Sequence, residues 1–136
     1  MGIVGFGFSK MVVEKNKNAT GKVNISNNIS VTEVKEAKLS FGKTKQKGLE
    51  FTFKFTSKYE PKIGTIEMIG FVIDMEKEET VNSVLESWNK DKKVPKEVLA
   101  NVYNHVLNKC NIQALILSRD IQLPPPIPLP KVKKSE

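Results

Sequence analysis

The chain has 136 residues, 39% of them apolar, enough to fill one core without a metal or disulfide to hold it. Lys and Arg number 22 against 15 Asp and Glu, giving a formal charge of +7, and Arg119 is the one arginine, so the excess is almost wholly lysine. That balance points to solubility before nucleic-acid readout, which favours arginine; a lone cysteine excludes an internal disulfide and cysteine-rich zinc sites, and no apolar run approaches the roughly 18–20 residues of a membrane span. The opening residues lack a basic leader and alternate like a strand, so no secretory leader is expected and the chain is expected in the cytoplasm.

Residues 3–13 mix Ile, Val, Phe and Met with Gly5 and Gly7, which predicts a first strand whose glycines leave room for a close neighbour. Residues 16–21 (NKNATG) carry turn chemistry. Val23, Ile25, Ile29 and Val31 then keep one parity, interrupted by Asn27, and Ala37, Leu39 and Phe41 resume it after a slip at Val34. A long second strand with a bulge or a short helical turn near 33–36 accounts for that pattern. The basic segment Lys43, Lys45 and Lys47 ends at Gly48 and reads as an exposed connection.

The cleanest alternation follows. Leu49, Phe51, Phe53, Phe55, Ser57 and Tyr59 face one side and Glu50, Thr52, Lys54, Thr56 and Lys58 the other, a third strand closed by Pro61. Residues 63–73 are apolar at both parities, which predicts a central fourth strand, antiparallel to the third, covered on both faces or meeting another subunit.

From Asp74 the period changes to that of a helix. Val81, Val84, Leu85 and Trp88 share one face over about 76–90, with Asp74 as N-cap and Glu76, Glu78 and Glu79 near the positive end of the dipole. Pro95 opens a second helix at its first position; paired apolar residues from Val98 to Leu115 give it a wide stripe, and it ends near Ser118. Leu123 to Pro130 must be extended and polyproline-like, and its apolar side chains favour docking along the body. Residues 1–130 form a single α+β domain on this reading, and 131–136 a disordered basic tail.

No catalytic, cofactor or metal residue emerges. His105 has no His or carboxylate at i±4, Cys110 lies about 140° round the helix from it, and Gly5-Phe6-Gly7 lacks both the further glycine and the strand-to-helix context of a dinucleotide site. The acidic residues near 76–79 lack the ligand order of a calcium loop. An enzyme is not expected.

The order of elements over residues 2–130, the strand ending Met68-Ile69-Gly70-Phe71-Val72-Ile73 before the first helix, the proline opening the second helix, and the tail Leu123-Pro-Pro-Pro-Ile-Pro-Leu-Pro130 together resemble the SecB-type protein-export chaperones. The resemblance implies a homotetramer, a dimer of dimers, that holds unfolded polypeptide clients in apolar grooves. This chain departs from the acidic bacterial family in being basic, which puts coupling to the export motor in doubt and suits a general holdase better. The apolar faces are also too many for one small sheet and two helices, which predicts a dimer or tetramer. Trp88, Tyr103, Leu123, Pro124, Pro125, Pro126, Ile127 and Leu129 are the rigid or apolar groups expected to contact an extended client. The alternative is a single-stranded nucleic-acid binder stacking bases on a basic, aromatic-bearing sheet; against it, the Phe residues of the third strand share a face with Leu49 and no interleaved Lys or Arg.

Overall fold

The computed structural model describes residues 2–41, 44–130 and 132. Four strands come first, β1 (Gly2–Lys15), β2 (Asn24–Phe41), β3 (Thr44–Glu60) and β4 (Gly64–Met75), and two helices follow, α1 (Glu78–Asp91) and α2 (Lys96–Asp120). The strands make one antiparallel sheet in the order β1-β4-β3-β2. This is the expected α+β arrangement of strands, then helices, then an extended proline-rich segment. The disordered end expected over 131–136 lies outside the described residues, apart from Val132.

Strands one and two, neighbours in sequence, occupy opposite edges of the sheet. Three strand spacings of about 4.8 Å separate them, and residues 16–23 cross that gap at the β3–β4 turn, where the Asn16 N–H donates to the Ile63 carbonyl at 2.7 Å. In β2 the slip in parity is a register irregularity between Val31 and Glu33, just ahead of the window where it was expected. It returns Val34 to the buried face, opposite Phe51.

The basic segment expected as a connection is strand from Thr44 onward, and Lys43 lies outside the described residues. Strand propensity loses here to pairing: the β2–β3 ladder continues to Phe41 opposite Thr44. Lys47 stands beside Glu78 at 3.1 Å and Glu36 at 3.9 Å, tying the start of α1 to the hairpin.

Period two decides the layering. On β3 the side chains of Leu49, Phe51, Phe53, Phe55, Ser57 and Tyr59 are buried, and β4 alternates buried and half-buried throughout. The buried face meets both helices: α1 packs on β2 and β3, and α2 on β4 and β1. Val81, Val84 and Trp88 of α1 and a row at every fourth position of α2, Val102, Val106, Cys110, Ala114 and Ser118, close the core. A Cβ at Gly70 would lie 2.7 Å from the Phe53 ring, so glycine is what lets that ring lie flat on β4. Phe6 stacks on Phe53 at 5.4 Å, and His105 rests against Phe6 at 5.5 Å.

The other face of β4 is open. Among the described residues no element covers Ile69, Phe71 or Ile73, which are half-buried, Phe71 and Ile73 with their side chains against β1. Gly7 and Gly5 seat Phe71 and Ile73: a Cβ at Gly7 would fall 2.8 Å from the Phe71 ring and one at Gly5 3.3 Å from Ile73. The GxG of the first strand is thus a packing device.

Both helix starts differ from expectation. Pro95 is the N-cap of α2 and Lys77 that of α1, neither with a side-chain cap. Asp74 does not cap α1. It is the penultimate residue of β4, fully buried opposite Ile3 and Leu49, and both carboxylate oxygens lack a hydrogen-bond partner among the described residues. Strand pairing out to Met75 overrode the capping preference of an Asp before an acidic helix start.

Burial, reinforced by Glu76, pushes the Asp74 carboxyl up to about 6. The folded state therefore holds a proton that the unfolded chain releases near pH 4, so this group's contribution falls as pH rises from about 4 to about 6 and is unfavourable above that. Asp74→Asn is expected to raise stability at pH 7 by about 1–3 kcal/mol and to flatten the pH dependence between about 4 and 6 in urea unfolding curves. A destabilised Asn variant at pH 7 would contradict this.

Candidate peptide-binding groove

Helix α2 ends in a Schellman turn. Gln122 takes a left-handed conformation (φ 59°), its N–H donates to the Arg119 carbonyl at 3.2 Å, and the Leu123 N–H reaches the Ser118 carbonyl at 2.8 Å. The turn folds Leu123 back onto the sheet, where it is buried above Gly64 at the start of β4.

From there the chain runs across the strands toward β2. Prolines offer carbonyls and no N–H, so the sheet must supply donors. The Tyr59 hydroxyl on β3 donates to the Pro124 carbonyl at 2.7 Å, and the Asn27 amide on β2 donates to the Pro126 carbonyl at 2.8 Å. Asn27 is oriented in turn by Ser57, its register partner, whose hydroxyl donates to the Asn27 side-chain oxygen at 2.6 Å. Burial pushes the Tyr59 phenol up to about 12, so it stays a donor at any physiological pH.

Held at this height, the tail forms one wall of an apolar groove of about 430 Å³. Leu123, Pro125 and Leu129 line it on one side, Leu115 and Ile116 of α2 on the other, with Ser118 and Arg119 completing the lining. Ile116 and Leu129 are 38% and 47% exposed, and Ile112, one turn earlier on α2, is 55% exposed. Ser118 is spoken for, its hydroxyl bonded to the Leu115 carbonyl at 2.9 Å.

The residues expected to contact a client therefore divide. Leu123, Pro125 and Leu129 line the groove, while Pro124 and Pro126 anchor the tail through their carbonyls and Ile127 is half-buried between them and Leu129. Trp88 and Tyr103 stand apart. Trp88 is 9% exposed on α1 under the Lys92 ammonium, 5.3 Å from its ring. Tyr103 precedes Ile116 by 13 residues on α2, about 20 Å along the axis.

Leu115, Ile116, Asn27, Ser57 and Tyr59 were not singled out from sequence. The signal for Asn27 and Ser57 was present as polar residues at apolar-face positions of two strands, and it needed the β2–β3 register to become a pair.

Burial pushes the Cys110 thiol up to about 12, which leaves it a core side chain. The aromatic sheet of the nucleic-acid alternative is inside the molecule: Phe51, Phe53 and Phe55 are fully buried beneath the helices and present no ring to a base. The wet face of β2 and β3 carries instead Ser26, Asn28, Ser30, Thr56, Lys54 and Lys58 around a polar concavity of about 560 Å³. Among the described residues no helix is long and apolar enough to cross a membrane, and no cluster of three metal-ligating side chains occurs.

No family model and no curated protein matches the chain. Among solved structures it is similar to a SecB-like chaperone of Mycobacterium tuberculosis, in complex with a ChAD peptide from the HigA1 antitoxin, at 9% identity over 98% of this chain and 91% of that one, with a TM-score of 0.49.

The tail's anchorage can be tested apart from any ligand. Tyr59→Phe keeps the ring and removes the donor to Pro124, so it is expected to cost about 1–2 kcal/mol in chemical denaturation and to raise backbone amide exchange around Leu123. Unchanged exchange there would mean that the tail is held without the Tyr59 hydroxyl.

Proposed function

We propose that the chain is a holdase, a non-catalytic chaperone that binds unfolded or extended polypeptides in apolar grooves of a homo-oligomer. The observation that carries this is the groove between the end of α2 and the proline segment. One of its walls is mostly proline backbone, with N–H groups only at Leu123, Ile127 and Leu129, too few to zip onto a client as an added β-strand does; it offers apolar side chains and a preset shape. Such a wall is tolerant of client sequence, and its stiffness limits the entropy lost on docking. The exposed Ile112, Ile116 and Leu129 extend the apolar strip beyond the groove. Trp88 belongs to the core on this reading, and the client contacts centre on Ile116, Leu123, Pro125 and Leu129. The resemblance of the sequence to SecB-type chaperones points the same way.

The oligomer is supported by the other side of the sheet. Strand β1 is an edge, with Val4 and Met11 about half exposed, and the half-open row Ile69, Phe71 and Ile73 lies beside it. A long edge next to an apolar face is an association surface unless something covers it. Light scattering at micromolar concentration is expected to give two or four times the 15.3 kDa chain mass. A monomer would remove the oligomer from the proposal.

The groove has a direct test. Ile116→Ser and Leu129→Ser replace exposed side chains, so the fold is expected to survive by circular dichroism, whereas a Leu or Ile half-covered by a client contributes about 1 kcal/mol, roughly fivefold in affinity for each substitution. Wild-type protein in excess is expected to keep an aggregating, denaturant-diluted test protein in solution, and the double variant to do so poorly. Full suppression by the folded double variant would place the client site elsewhere.

A further inference from the structure

The lining of the groove includes the one arginine of a chain with 22 basic side chains. A cation in the last turn of α2 suits the helix dipole, and lysine would serve that purpose equally well. A guanidinium adds a planar fork of donors that can grip a carboxylate through two parallel bonds. The carboxylate near Arg119 is that of Asp120, its neighbour in sequence, through a single Nη2 to Oδ1 approach of 3.7 Å between side chains 78% and 55% exposed. So long and open a pair is weak and is readily exchanged for a better-placed acid. None of the residues that line the groove is acidic, and the net charge of +7 favours the approach of negative segments from a distance.

We propose that the groove selects extended segments in which apolar side chains are flanked by an acidic residue, the apolar side chains seated between Ile116 and Leu129 and the carboxylate on Arg119. This rests on the reading of the groove as a client site and adds the chemistry of the client. The carboxylate is a side chain, Asp or Glu, because an extended client passes through an open groove and need not end in it.

The test uses fluorescence anisotropy with an end-labelled, C-terminally amidated peptide in which leucines alternate with serines and one Glu flanks the last leucine, beside the same peptide with Gln or Lys in its place. Wild-type protein is expected to bind the Glu peptide about 5–10-fold more tightly than the Gln peptide, and the Lys peptide most weakly. In Arg119→Gln the Glu and Gln peptides are expected to converge to within about twofold, and Arg119→Lys to keep part of the preference. Asp120→Asn, which removes the competing carboxylate, is expected to strengthen Glu-peptide binding. Arg119 is exposed, so the fold is expected to be unaffected in each variant. Equal binding of Glu and Gln peptides by the wild type overturns the selectivity and leaves the groove standing. A preference that survives Arg119→Gln overturns the assignment to this residue. Failure of all three peptides to bind overturns both the selectivity and the groove.

Discussion

Proline carbonyls accept hydrogen bonds while the ring leaves nothing to donate in return, so the proline run that follows Leu123 is fastened by hydrogen bonds that the body of the fold donates. Tyr59 and Asn27 are those donors, and both stand on the helix-facing side of the sheet, which is largely apolar. A polar group in such a place is costly unless it is bonded. Ser57, Asn27, Tyr59 and two tail carbonyls satisfy one another as a set. The tail's height above the sheet, and with it the groove, follows from that set.

The strand order puts the tail where it is needed. Because β4 and β3 are central, α1 lies over the β2 and β3 half and α2 over the β4 and β1 half. The last turn of α2 therefore ends over the start of β4, and the tail must recross β3 to reach β2. That path meets Gly64, Tyr59 and Asn27 in order. The aromatic stack of Phe53, Phe6 and His105 joins α2 to the sheet about 15 Å along the helix axis from Leu115.

Much of this was legible in the amino-acid order, for reasons that are local. Period two on β3 and period 3.6 on α1 name their own buried faces, and the absence of proline N–H groups forces an extended tail. Asp74 misled because an Asp ahead of an acidic run has the chemistry of a cap, while the outcome depended on how far β4 stays paired between two neighbours. The segment from Thr44 misled likewise, since a lysine-rich stretch continues as strand when the opposite strand is long enough to pair it. Asn27 looked like an interruption of a strand. Only the distant Ser57 and Pro126 make it a fastening, and a contact spanning 99 residues leaves no trace in local periodicity. Of the residues expected to contact a client, Leu123, Pro125 and Leu129 line the groove, whereas Trp88 lies apart on α1, a placement that depends on which helix lies over which strands.

The Schellman turn has a consequence for how the chain can vary. It fixes the tail's direction of exit by the rotational phase of α2, which advances about 100° with each residue. One residue more or fewer in the helix would swing the prolines away from Tyr59 and Asn27, and a change of seven, although it restores the direction of exit to within about 20°, would carry the exit about 10.5 Å along the axis and off both donors. The length of the helix between Pro95 and Leu123 is thus fixed, in rotation and in rise alike, by the hydrogen bonds of the segment that follows it.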